Sequence, residues 1–147
     1  MAKLSVTGGG RCNITNSFEN VRSLKDVYPR GANIMKRLLK VFSQKDLLEW
    51  FENEGIQFTT QADGCVFPCS QDAMEIVRCL ERLMREENII LHCSSKVLNI
   101  IENSNIGFRL RINDGNTKDF DKVILSCGGT SSDVLKSMLP QNIEVTQ

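Results

Sequence analysis

The chain has 147 residues, 41% of them hydrophobic, and carries 18 basic and 18 acidic side chains. That is enough apolar matter for a buried core, expected as a single α/β domain over 1–147, and it excludes a disordered polymer. A formal net charge of zero argues against a nucleic-acid-binding surface, and no apolar run approaches the roughly 20 residues of a membrane span.

In chain order, Lys3-Leu4-Ser5-Val6 reads as a short strand. It leads into Thr7-Gly8-Gly9-Gly10-Arg11-Cys12-Asn13-Ile14-Thr15-Asn16, where three glycines leave the main chain open and donors follow at once. Such a stretch suits the cradling of a phosphate or a planar ring. By spacing alone, a glycine-rich turn with an exposed arginine is the better reading. It is not the dinucleotide fingerprint, because Asn13 stands at the third glycine position. Residues 17–31 are irregular. The spacing then predicts a helix over Asn33–Phe42 with Ile34, Leu38, Val41 and Phe42 on one stripe. Ser43 with Asp46 predicts a capping box, and Gly55 the end of the next helix. Trp50 and Phe51 read as core on that helix.

Ile56–Thr60 and Cys65–Phe67 read as a hairpin around Ala62-Asp63-Gly64. Ser70 is expected to cap a helix running to about Glu87, buried along Ala73, Ile76, Val77, Leu80, Leu83 and Met84. Ile89–Cys93 has the length and apolarity of a buried strand, and a strand after a helix suggests a parallel sheet. Lys96–Ile101, Phe108–Ile112 and Phe120–Ser126 form a β-meander turning at Asn103-Ser104-Asn105 and Asp114-Gly115-Asn116. Val123–Ser126 is expected to be central. Cys127-Gly128-Gly129 ends it, and Thr130 or Ser131 caps a short helix through Met138.

The six cysteines are Cys12, Cys65, Cys69, Cys79, Cys93 and Cys127, beside one histidine, His92. With no leader-like start they read as reduced thiols in a cytoplasm. Cys65 and Cys69 do not supply the four spaced ligands of a structural zinc site, so no metal is expected. Arg11 would lower the pKa of Cys12 and permit a redox role, yet a free cysteine is more commonly a small buried hydrophobe. No side chain stands out as an acid or base, and none is given a catalytic role.

The run Thr7–Asn16 resembles the signature of the BaiN/YhiN-like flavoproteins, known as NAD(P)/FAD-dependent oxidoreductases or as aminoacetone oxidase family FAD-binding enzymes. Val27–Gly31, Glu49–Asn53, Cys65–Ala73 and Val123–Gly129 resemble further family segments in the same order, with Ser126 and Cys127 departing from the pattern. The resemblance implies a partial FAD/NAD(P)-binding Rossmann-like α/β domain with parallel strands, a three-stranded meander and flanking helices. It implies that Gly8, Gly9, Gly10, Arg11, Cys12, Asn13, Thr15 and Asn16 lie near the isoalloxazine or the pyrophosphate. It further implies that Val97 offers its main chain to the adenine and that Gly128 and Gly129 lie beside the cofactor. The family's Gly-x-Gly-x-x-Gly turn is not in the sequence. The expectation is therefore a central piece of a longer flavin-dependent oxidoreductase, linked to NAD(P)H in some members. Such a piece would bind FAD weakly or not at all and be inactive alone. The alternative is a non-enzymatic α/β module that self-associates through an unpaired sheet edge.

Overall fold

A computed structural model describes residues 1–104 and 107–145. Asn105 of the expected Asn103–Asn105 turn lies outside the described residues. The chain divides into two units, Met1–Ile90 and Leu91–Gln147.

The first unit opens with a helix, α1 (Ala2–Val6), where the sequence suggested a strand. A strand needs a hydrogen-bonded neighbour, and no described strand pairs with this stretch. Local partners take over instead. Leu4 and Ser5 donate their amides to Met1 O, Ser5 Oγ donates to Ala2 O, and Thr7 Oγ1 donates to Leu4 O. A 3-10 turn, Thr7–Gly10, follows, then β1 (Thr15–Asn16). Two helices, α2 (Leu24–Val27) and α3 (Ala32–Val41), come next. On α3 the expected apolar stripe points outward: Ile34, Leu38, Val41 and Phe42 are exposed, while Met35 and Leu39 are half-buried.

Helix α4 (Gln44–Asn53) begins with the expected capping box. Ser43 Oγ accepts from the Asp46 amide, and the Asp46 carboxylate accepts from the Ser43 amide at 2.6 Å. These bonds hold the Asp46 carboxyl below its usual range. Ser43→Ala is expected to cost about 1 kcal/mol in urea melts at neutral pH. The folded carboxyl titrates below its unfolded value, so its contribution is complete above about pH 4 and is lost as pH falls through the folded value. The gap in stability between wild type and Asp46→Ala should therefore close in strong acid. At the other end, Gly55 (φ +89°) donates to Glu52 O and Ile56 donates to Phe51 O, a Schellman stop.

β2 (Phe58–Thr60) and β3 (Cys65–Pro68) form the expected hairpin, and β1 pairs antiparallel on the other side of β3. Helix α5 (Ala73–Glu86) is capped by Asp72, whose Oδ1 accepts from the Met74 amide at 2.9 Å; Ser70, the expected cap, instead accepts from the Asp72 amide. Ala73, Ile76, Val77 and Cys79 of α5 are buried, as are Phe51, Ile56, Val66 and Phe67. Phe51 packs edge-on against Trp50 and Phe58, and Trp50 stays partly exposed.

The second unit is a meander, β4 (Val97–Asn103), β5 (Gly107–Ile112) and β6 (Thr117–Phe120), with α6 (Ser132–Met138) on β4. Val97 pairs with Ile112 and Asn99 with Arg111, so β4 carries a bulge at Leu98. Arg109 and Asp119, opposite each other on β5 and β6, form a two-pronged ion pair at 2.6 and 2.8 Å. Ser131 caps α6 through the Val134 amide.

Beyond Lys3–Val6, two more sequence-predicted strands do not form among the described residues. Residues 89–93 have no ladder partner, with Ile89, Ile90 and Leu91 exposed. The meander's last strand stops at Phe120, and Val123–Ser126 runs on irregularly, with Ile124 91% exposed. Both runs are apolar enough for an interior strand, but a strand forms only where a neighbour accepts its hydrogen bonds. Both sheets are antiparallel, and the expected parallel pairing is absent among the described residues.

Candidate functional site

The glycine loop is a closed, left-handed turn. Gly8, Gly9 and Gly10 have φ of +57°, +68° and +84°, and Cys12 follows at +61°. The amides of Arg11 and Cys12 both donate to Thr7 O, and the Ile14 amide donates to Val66 O, which lays the loop on β3. The three glycines differ in surroundings. A Cβ on Gly8 would stand 2.8 Å from both Asn13 N and Phe67 Cε1, whereas a Cβ on Gly9 would meet nothing within 4 Å. Gly9 is thus the open face of the loop, and Gly8 is its packed face.

Arg11 is held from three sides. Its Nε donates to Gly8 O at 3.1 Å, its Nη1 donates to Gln71 Oε1 at 3.4 Å, and its guanidinium stacks 4.2 Å from the Phe67 ring centroid. Neither hydrogen bond goes to a carboxylate. Phe67 and Gln71 lie in the Cys65–Ala73 run, which carried a family resemblance without marking either as a partner of Arg11.

Cys12 is fully buried, and burial pushes its thiol pKa up. That opposes the thiolate a redox role needs, and it supports the packing role. Asn13 Nδ2 donates to Cys65 Sγ at 3.3 Å; Thr15 and Asn16 pair with Val66 and Cys65; Asn16 Oδ1 accepts from the Phe18 amide. The loop's polar residues therefore gather around β3. Cys69, Cys93 and Cys127 are exposed and Cys79 is buried. With a chromogenic disulfide reagent, these three exposed thiols are expected to react at once, and Cys12 and Cys79 only on unfolding.

The remaining sequence-predicted site residues lie in the second unit. Val97 is half-buried and lines a cavity of about 410 Å³. Ile100, Val123, Val134 and Met138 make its wall mostly apolar, and Cys127 and Thr130 border it on either side of Gly128 and Gly129. Gly128 has φ +72°, and a Cβ on Gly129 would meet nothing within 4 Å. The structure thus gathers Gly8 through Asn16 in one unit, and Val97, Gly128 and Gly129 in the other. His92 contacts Lys118 Nζ at 2.7 Å through Nε2. Among the described residues, no group of three or more His, Cys, Asp or Glu side chains can hold a metal, and no helix is long and apolar enough to cross a membrane.

A family profile described as the HI0933-like protein Rossmann domain matches residues 1–138. The chain belongs to this family of FAD-binding oxidoreductases, in agreement with its resemblance to the BaiN/YhiN-like flavoproteins. It is 33% identical over 135 residues to the 3-dehydro-bile acid delta(4,6)-reductase of Clostridium scindens, covering 92% of this chain and 32% of the relative. It is 30% identical over 129 residues to the ribosomal RNA dihydrouridine synthase of Escherichia coli, covering 88% and 31%. The chain spans about a third of the length of these curated relatives.

Proposed function

We propose that the chain carries part of the FAD site of a flavin-dependent oxidoreductase. The observation that carries this reading is the mostly apolar cavity beside Val97, bordered by Cys127 and Thr130. Its volume and apolar lining suit a flat heteroaromatic ring such as adenine, with the Val97 main chain at the ring edge and no Cβ at Gly128 or Gly129 to crowd it. In the first unit, the open face at Gly9, the Arg11 guanidinium and the exposed Asn13 suit the isoalloxazine or pyrophosphate part. Bound flavin supplies the hydride chemistry; these residues supply position and charge. The hydride donor is proposed to be NAD(P)H. The match of one family profile to residues 1–138 supports treating both units as parts of one domain. Six free cysteines, three of them exposed, suit a reducing cytoplasm.

The chain spans about a third of the length of its curated relatives, and it is proposed to act as a central part of such a protein that binds FAD weakly and does not turn over alone. Titrating FAD into 15N-labelled protein tests this. Millimolar FAD should shift the Val97, Gly128 and Gly129 amides, while the purified chain should carry no stoichiometric flavin spectrum. Amides that stay in place throughout the titration would sink the reading.

A second reading, a self-associating module, draws on the exposed Ile89–Leu91 and Ile124, which join no strand ladder among the described residues. Light scattering decides it: a monomer across the accessible concentration range would reject self-pairing.

A further inference from the structure

We infer that Gln71, with Phe67 beneath it, is a positioning residue that fixes the Arg11 guanidinium as a seat for a phosphate oxyanion. The inference rests on the proposal that this loop faces a nucleotide cofactor. It deepens that proposal by saying what aims the arginine. A free arginine side chain has several rotatable bonds, and ordering it at the moment of binding weakens the binding. Here that ordering is done in advance. Gly8 O takes Nε, Gln71 Oε1 takes Nη1, and the Phe67 ring supports the guanidinium plane from one side. Phe67 is itself buried, being 3% exposed.

Gln71 is also fixed. Its main chain sits in the left-handed region at φ +55°, its amide donates to Pro68 O at 2.9 Å, and its Nε2 donates to the same carbonyl at 2.9 Å. With the side-chain N–H tied down, Oε1 is left to face Arg11. The residue type matters as much as its place. A neutral acceptor orients the guanidinium without cancelling its charge, whereas a carboxylate at 71 would orient it equally well and neutralise it. The surrounding polar groups are consistent with this. Asp63 feels Arg11 only weakly, and its carboxyl is held low chiefly by the Cys65 amide. The two groups that accept from the guanidinium are thus neutral, and the main chain at Gly9 is bare, a Cβ there meeting nothing within 4 Å.

The test follows the Arg11 Nε–H signal in the nitrogen–proton spectrum, with inorganic pyrophosphate as the probe. In wild type this proton should exchange slowly, and its signal should move when millimolar pyrophosphate is added. Gln71→Ala should speed its exchange about tenfold while leaving the backbone amide spectrum in place. Gln71→Glu should keep the slow exchange and abolish the response to pyrophosphate. An unchanged Nε–H in Gln71→Ala overturns the positioning role, and an Arg11 signal indifferent to pyrophosphate in wild type overturns the seat. If both results appear as expected while FAD leaves Val97 and Gly128 unmoved, the cofactor reading alone has failed.

Discussion

Gly8→Ala is expected to lower the stability of the first unit by about 3 kcal/mol, whereas Gly9→Ala next to it should cost only about 1 kcal/mol. Both residues have positive φ, so both substitutions carry the left-handed strain of an L side chain. They differ in what the new methyl meets. At Gly8 it falls 2.8 Å from a backbone nitrogen, Asn13 N, and 2.8 Å from the edge of the buried Phe67 ring. Neither can step aside without moving β3 or the loop. At Gly9 the methyl enters empty space. Urea melts of the two variants measure the difference, and equal losses would show that the contact at Gly8 contributes nothing. Because Phe67 also carries Arg11, the Gly8 variant should alter the Arg11 Nε–H signal as well.

Ile76→Ala is expected to cost about 4 kcal/mol and to leave the unit marginal at room temperature. Ile76 is fully buried on α5, in the cluster with Cys12, Phe51, Ile56 and Ala73. The cavity left behind would adjoin Cys12 and the end of α4, positions fixed by the loop and by the Schellman turn, so it has little room to collapse. Chemical denaturation reads the loss directly. Cys12 should at the same time become reactive toward thiol reagents under native conditions. A loss below about 1 kcal/mol would place Ile76 outside the cooperative core.

The parts of the fold legible in the sequence are those whose chemistry is local. Ser43 and Asp46 define their capping box within four residues, Gly55 stops α4 by its own φ, and Asp63-Gly64 turns the hairpin. Each needs no distant partner. The misread parts depend on neighbours. Lys3–Val6, Ile89–Cys93 and Val123–Ser126 all have strand composition, but composition does not supply the adjoining chain that a strand requires. Ser70 and Asp72 are both good caps, and only the geometry of the first helical turn selects Asp72. The stripe on α3 was legible as apolar, but not as outward-facing. In the candidate site, the glycine loop was legible as a motif. That Phe67 and Gln71 hold its arginine was not, because residues far apart in sequence share no local signal.

The bulge at Leu98 has a consequence for any attempt to edit β4. Side chains alternate along a strand, so Val97 and Ile100, three residues apart, would face opposite ways in an unbroken ladder; the extra residue lets Val97 stand opposite Ile112 and share the face of Ile100, which stands opposite Leu110. Deleting Leu98 would keep those pairings and leave Val97 at the hollow it borders, whereas pairing every residue of β4 in turn would rotate Val97 away from it. The irregularity thus sets the parity of the strand at its present length.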